Sequence, residues 1–135
     1  SDPSQYILPV EGKGLWSTLY GYVSLARDLN EINGLTFYQH AETPGLGGEV
    51  DNPSWKAKWP GRRVYSPDGK IAIKVKKGAA GSVKEDPHQV DGLSGATITS
   101  NGVTYLLAFR LGEQGFGPYI KNLKGAGVQL GQVTQ

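Results

Sequence analysis

The chain contains no cysteine and no methionine among its 135 residues. The missing thiols exclude disulfides, a thiolate nucleophile, iron–sulfur clusters and cysteine-based zinc sites. Only two histidines are present, His40 and His88, and the carboxylates around them do not have metal-ligand spacing. The sequence therefore predicts no metal site.

Long apolar runs and an excess of one charge are also missing. No stretch approaches the roughly 18 consecutive apolar residues of a membrane helix, and no signal-peptide pattern opens the chain. Lysine and arginine number 14 against 12 aspartates and glutamates, which is too balanced to predict a nucleic-acid partner. We expect a soluble domain, and the start at Ser1 without methionine is consistent with a longer natural protein.

The common catalytic signatures are absent as well. The chain has no GxSxG elbow, no Walker A sequence, no HExxH and no GxGxxG after a strand. Paired-carboxylate chemistry has no support beyond the isolated Glu42, Glu49 and Asp51. The sequence therefore predicts no catalytic residue.

The chain is rich in glycine, with 20 residues, and contains eight prolines. This composition favours tight turns over a helical bundle. Alternating or aromatic-rich segments predict strands at 19–28, 32–42 and 70–77. In the third of these, KIAIKVKK, a solvated outer face explains the lysines more simply than a basic binding patch.

Helical spacing of valine and leucine predicts a helix from Thr99 to Leu111, ended by GEQGFGP. A short helical stretch is expected before Pro60, and the tail 125–135 is expected to be an edge strand or a frayed end. We predict one domain over residues 1–135, of the α+β class, with a small mixed or antiparallel sheet packed with a few helices.

The segment SGATITS, residues 94–100, concentrates hydroxyl side chains before the predicted helix. Serine and threonine are preferred helix N-caps, and on the residue pattern alone capping is the more common role. The unpaired N–H groups of a first helical turn also suit a phosphate, which hydroxyl side chains would help to bind. Both interpretations stay open at this point.

The segment HAETPGLGG, residues 40–48, is a second unusual loop. Its glycines allow a flat ligand to approach the backbone closely, and Leu46 is an apolar side chain between them. A leucine in such a loop either covers a ligand or folds into the core, and the core is the more common place.

Together the two loops resemble the FMN-binding domain family. The flavinylation pattern of that family, Asp-Gly-x-Ser/Thr-Gly-Ala-Thr, stands complete as DGLSGAT, residues 91–97. Within the family the chain is most similar to the C-type subunits of sodium-translocating NADH:quinone oxidoreductases, of which GLWSTLYG is also typical. The G-type subunits of the Rnf complexes come next. The resemblance extends from Gly14 to about Leu111.

The resemblance implies a covalent FMN, joined by a phosphoester bond to Thr97. A flavin transferase would form that bond from FAD, and Asp91 would belong to its recognition pattern and help to orient the target hydroxyl. The implied phosphate cradle consists of Ser94, Gly95, Ala96, Thr99 and Ser100. The implied lining of the isoalloxazine consists of Glu42, Thr43, Gly45 and Leu46, with Trp16 as the opposite wall, although a tryptophan is more often a core residue.

The resemblance further implies an electron-relay function. Such a protein carries electrons on FMN within a membrane complex that passes them from NADH to quinone and exports sodium. Its partners are the other subunits, and an N-terminal membrane helix, absent from this chain, holds the domain on the periplasmic side of the bacterial inner membrane. The isolated domain is not expected to be catalytic on its own.

Two other interpretations remain. The chain could be the FMN domain of an Rnf-type complex or of a membrane-bound regulatory protein, with the same cofactor and a different partner. It could instead be a structural module in which SGATITS only caps a helix. That last interpretation predicts a colourless protein even when a flavin transferase is present.

Overall fold

Three antiparallel strands form the main sheet. The structure, a computed structural model, describes residues 5–112. In it the strands pair in the order β1-β2-β3, with bounds β1 (Gln5–Lys13), β2 (Thr18–Ala26) and β3 (Ile32–Gln39). The Gly14 N–H donates to the Ser17 carbonyl at 2.9 Å and closes the turn between β1 and β2. The two strands expected near 19–28 and 32–42 are confirmed, each slightly shorter at its end.

The first strand, β1, was not predicted from the sequence. Leu8 and Val10 point into the core while Ile7 and Pro9 are exposed, so the alternation of a half-buried strand is present. Pro9 obscured it, because proline removes a ladder donor and is confined to edge strands. β1 is indeed an edge strand of this sheet.

A long helix, α2 (Thr97–Leu111), packs on this sheet next to β1. It buries Val103, Leu106, Leu107 and Leu111, the residues whose spacing predicted it. The approach is close at Gly102, where a Cβ would collide with the Lys13 carbonyl. The helix begins two residues earlier than expected, at Thr97 instead of Thr99.

The chain between sheet and helix forms short elements. A 3₁₀ helix (Gly47–Asp51) is followed by α1 (Pro53–Lys56), which Asn52 caps by accepting a hydrogen bond from the Ser54 N–H at 2.8 Å. A second, two-stranded parallel sheet joins β4 (Lys74–Val75) to β5 (Gln89–Val90).

The strand expected over 70–77 is shortened to β4. The N–H groups of Ala72 and Ile73 both donate to the Val64 carbonyl, so these residues pair away from the β4–β5 ladder. The α+β class with an antiparallel main sheet is confirmed, and the expected tail element lies outside the described residues. Between residues 5 and 112 no helix has the length and apolarity that a membrane crossing needs.

Candidate functional site

The loop before α2 does not use a hydroxyl side chain as its helix cap. The N-cap position is Ala96, which has no side-chain acceptor. Gly95 precedes it with φ at +69°, a left-handed conformation that favours glycine. The capping interpretation of SGATITS is therefore wrong, because the cap position is an alanine and none of the four hydroxyls caps the helix.

The four hydroxyls of this segment divide into two pairs. Thr99 and Ser100 are buried: the Thr99 hydroxyl donates to Glu42 Oε1 at 2.8 Å, and the Ser100 hydroxyl accepts from the Leu93 N–H at 3.0 Å. Ser94 and Thr97 are exposed, and within residues 5–112 their hydroxyls have no hydrogen-bond partner. Two hydroxyls thus build the fold and two are free for a ligand.

The Glu42 carboxylate joins this helix to the β1–β2 turn. It is 5% exposed and accepts hydrogen bonds from the Leu15 N–H at 2.7 Å, the Trp16 N–H at 3.0 Å and the Ser17 hydroxyl at 2.8 Å, besides that from Thr99. Burial raises the pKa of Glu42, but these hydrogen bonds outweigh it and leave the pKa below its ordinary value. The residue is an ionised structural clamp.

His40 contacts the backbone of Glu42 and links it to Asp51. The Glu42 N–H donates to His40 Nδ1 at 3.1 Å, while His40 Nε2 lies 2.7 Å from Asp51 Oδ2. Because Nδ1 accepts, the proton of the neutral ring resides on Nε2 and is donated to Asp51. Among residues 5–112 no group of three potential metal ligands occurs.

Two exposed apolar side chains stand beside the clamp. Trp16 is 71% exposed and Leu46 is 43% exposed, so neither belongs to the core. Leu46 lies against the motif loop, since a Cβ on Gly95 would come within 3.0 Å of Leu46 Cδ2. Gly45, with φ at +80°, and Thr43 are exposed in the same loop. The structure therefore brings Trp16, Leu46 and the start of α2 to one region of the surface.

Asp91, the first residue of the motif, binds two distant parts of the chain through its carboxylate. Its Oδ1 accepts from the Ala80 N–H at 3.0 Å and its Oδ2 lies 3.2 Å from Lys58 Nζ. Its carbonyl accepts from the Trp55 indole N–H at 2.9 Å. Burial raises the pKa of Asp91, but the Ala80 N–H and the Lys58 ammonium outweigh this and lower the pKa. Asp91 is held ionised by contacts that do not include Thr97.

A cleft of about 470 Å³ opens beside the free hydroxyls. The lining includes Asp91, Ser94, Gly95 and Thr97 on one side and the segment 75–79, which begins at the last residue of β4, on the other. This second wall was not predicted from the sequence, because its lysines were assigned to solvent. The glycine and alanine residues directly after them, GAAG, were a usable signal for a backbone that lines a cavity.

Only some of the expected site residues present their polar atoms to the cleft. Ser94, Gly95 and Thr97 line the cleft, whereas Glu42 and Thr99, expected to touch the ring and the phosphate, direct their polar atoms toward each other. Ser100 lines the cleft, yet its hydroxyl is engaged by Leu93. Ala96 is buried at the cap. These buried residues position the site.

The sequence matches one family model and several curated relatives. The model of the FMN-binding domain matches residues 14–111. The C-type subunit of the Na(+)-translocating NADH-quinone reductase of Pseudomonas aeruginosa is 56% identical over 119 residues, 87% of this chain and 46% of that protein. Its counterpart in Vibrio parahaemolyticus is 50% identical over 127 residues, 94% of this chain and 48% of that protein. The chain spans about half the length of the curated relatives it matches.

Solved structures with the same fold also match. Shewanella oneidensis NqrC superposes with a TM-score of 0.85 at 41% identity, over 90% of this chain and 55% of that one. The C-type subunit of the Na(+)-translocating NADH-quinone reductase of Parabacteroides distasonis gives a TM-score of 0.73 at 36% identity, over 86% of this chain and 56% of that one.

Proposed function

Because the chain belongs to the FMN-binding domain family, we propose that it carries one FMN in a phosphoester bond to Thr97 Oγ1. The observation that carries this proposal is the contrast among the four hydroxyls of SGATITS. Thr99 and Ser100 are committed to the fold, whereas Thr97 is exposed at the cleft and has no partner within residues 5–112.

The residues at the site fit such a group. A cleft of about 470 Å³ lies in the size range of cofactor sites. Trp16 and Leu46 do not line this cleft, but their exposed side chains offer apolar surface to an isoalloxazine ring that extends beyond it. The first-turn N–H groups of α2, which Ala96 leaves without a side-chain cap, favour a phosphate. Thr97, the attachment residue, is the first residue of that turn.

Formation of the bond would fall to a separate flavin transferase. The Thr97 oxygen would attack the FMN phosphorus of FAD, the bond between the two phosphates would break, and AMP would leave while the hydroxyl proton passes to a base of the transferase. The base is assigned to the transferase because neither histidine lines the cleft of Thr97; His40 contacts Glu42 and Asp51, and His88 Nδ1 lies 3.0 Å from the Arg63 carbonyl oxygen. This chain would supply the exposed acceptor.

Bound FMN would supply the chemistry of accepting and passing electrons. The chain's own residues would hold it: Thr97 fixes one end, while Leu46 and Trp16 shield the ring. Glu42 fixes the turn that carries Trp16 and the helix that carries Thr97 through one carboxylate.

At the level of the whole protein, we propose an electron-carrying subunit of a sodium-translocating NADH:quinone reductase. The support is the identity of 50 to 56% with the C-type subunits over most of this chain. The remaining subunits are its partners, and the domain would lie on the periplasmic side of the bacterial inner membrane. It would be an oxidoreductase component without NADH or quinone sites of its own.

Intact mass spectrometry of the chain co-produced with a bacterial flavin transferase tests the proposal. The expected result is a mass increase of one FMN less one water in the parent and in Ser94→Ala, and no increase in Thr97→Ala. Ser94 is the matched control because it is the other exposed, unpartnered hydroxyl of the cleft. An adduct that persists in Thr97→Ala and disappears in Ser94→Ala would move the attachment point, and an unmodified parent would contradict the proposal.

A further inference from the structure

Two lysines border the cleft that contains the proposed attachment residue. Lys76 and Lys77 follow directly after β4 and line the cleft together with Thr97. Their neighbour Lys74 is exposed and does not line it. A solvated outer face accounts for Lys74 but leaves unexplained why two successive lysines border a cavity.

The charge of the cleft is uncompensated and positive. Its ionisable lining side chains are Lys76, Lys77 and Asp91. The Asp91 carboxylate is already bound by Lys58 and by the Ala80 N–H. Within residues 5–112 neither Lys76 nor Lys77 has an ion-pair or hydrogen-bond partner for its ammonium group. The cleft is therefore electrostatically suited to an anion.

The backbone fixes these lysines relative to the opposite wall. The Lys76 N–H donates to the Val90 carbonyl at 3.0 Å, and the Gly92 N–H donates to the Gly78 carbonyl at 2.8 Å. Both bonds join the lysine segment to the chain that leads into the motif loop. The segment that carries the two lysines is thus anchored through its backbone, while their ammonium groups have no partner within residues 5–112.

We propose that Lys76 and Lys77 form an anion subsite that binds the phosphate through which the flavin is joined to Thr97. The subsite rests on the proposed function for the identity of its ligand, a phosphate ester. A phosphodiester keeps one negative charge at neutral pH, and flexible ammonium groups bind phosphate as point charges without a fixed orientation. The same pair would bind the diphosphate of the flavin donor before transfer.

The first test uses the 135-residue chain produced without a flavin transferase and titrated with inorganic pyrophosphate at low salt. We expect the backbone amide NMR signals of residues 78–79 and 94–95 to shift. In the Lys76→Met/Lys77→Met variant the dissociation constant should rise about three- to tenfold, the range expected for loss of two partly exposed charges. In the matched control Lys74→Met it should change by less than about twofold, and the double arginine variant should retain binding.

The outcomes separate the subsite from diffuse surface charge. Equal weakening by the double variant and by Lys74→Met, or shifts that spare the cleft amides, would overturn the subsite. Lys74 and Lys77 are exposed and Lys76 is half-buried, and none of the three has an ion pair within residues 5–112. Thermal unfolding of each variant is therefore expected to match the parent, which confirms that the comparison concerns binding.

The second test uses the flavinylated chain and separates the subsite from the proposed function. The phosphorus-31 signal of the phosphodiester should move in the double methionine variant and stay in place in Lys74→Met. If flavin is attached and the signal is the same in parent and double variant, the subsite is wrong and the proposed function stands. If the parent takes up no flavin, the proposed function fails, while the pyrophosphate titration still decides the subsite.

Discussion

Two threonines in the same helical turn have opposite environments. Thr97 is exposed, while Thr99 is 1% exposed and donates to a buried carboxylate. Their functions separate accordingly: one hydroxyl is available for chemistry and the other maintains the geometry around it. Since both residues lie in the first turn of α2, the same substitution at each position makes a matched pair.

We predict that Thr99→Val lowers the free energy of unfolding by about 1 to 3 kcal/mol, because a buried carboxylate loses a donor. Thr97→Val should change it by less than about 0.5 kcal/mol, as expected for an exposed position without contacts. Urea denaturation of the unflavinylated chain measures both. Equal losses at the two positions would contradict the division of the hydroxyls into a structural and a free pair.

A pH dependence follows from the lowered pKa of Glu42. Because the pKa in the folded state lies below its ordinary value of 4.5, the contribution of the ionised carboxylate to stability is complete above that value. It is lost as the pH falls through the folded-state pKa. Glu42→Gln, which cannot accept all four hydrogen bonds, should be less stable than the parent by about 1 to 3 kcal/mol at pH 7.

Urea denaturation at pH 7 and at about pH 3 measures this difference, which should shrink at the lower pH because the carboxylate of the unfolded parent takes up a proton that the folded state binds less readily. Asp68→Asn is a useful control, since Asp68 also has a lowered pKa but is bonded only to its own exposed turn. If the difference in the free energy of unfolding between Glu42→Gln and the parent stays constant with pH, the role of the ionised Glu42 carboxylate is contradicted.

At the scale of elements, the site depends on how closely α2 approaches β1. Gly102 lies on the Lys13 carbonyl, with no room for a side chain. This approach places the N-terminal turn of α2 next to the β1–β2 turn, so that one carboxylate reaches both Trp16 and Thr99. The glycine therefore sets the separation of the two elements that carry the site.

We predict that Gly102→Ala destabilises the fold by about 1 to 3 kcal/mol through overpacking, although alanine at an open helix position would stabilise by about 1 kcal/mol. The sign of the change in the free energy of unfolding therefore distinguishes a crowded position from an open one. Thermal unfolding measures it, with Asn101→Ala, an exposed neighbour in the same helix, as control. A stabilised Gly102→Ala variant would contradict the close contact.

Sequence patterns predicted the elements better than the contacts between them. The 3.6-residue spacing of Val103, Leu106 and Leu111 predicts α2, because periodicity follows directly from which face is buried. The buried hydrogen bond of the Thr99 hydroxyl could not be predicted. Its partner Glu42 is 57 residues away along the chain, and no local sequence pattern encodes that pairing. β1 was missed because its proline concealed an otherwise regular alternation.

At the scale of the whole molecule, the three tryptophans occupy two environments. Trp55 is 5% exposed and Trp59 is fully buried, whereas Trp16 is 71% exposed at the turn before β2. Trp16 belongs to the proposed flavin site, whereas the two buried tryptophans report on the core. Function and core can therefore be followed separately by fluorescence.

We predict that acrylamide quenches a solvent-accessible fraction of the tryptophan emission in the unflavinylated chain, and that Trp16→Phe removes this fraction. After flavinylation, the Trp16 component should be quenched by the ring stacked on it. Steady-state emission spectra of parent and variant, with and without flavin, measure the effect. A flavinylated parent whose Trp16 component stays accessible to acrylamide would remove Trp16 from the wall of the site.

The clamp at Glu42 has a consequence for the order in which the molecule assembles. Its four acceptor contacts join residues 25 to 57 positions apart in the chain, and each requires the closure of a long loop. Contacts of such range form slowly and cooperatively. Thr97 therefore reaches its native environment only after these long-range contacts have formed. If attachment of the flavin requires that environment, the attached flavin reports that folding is complete.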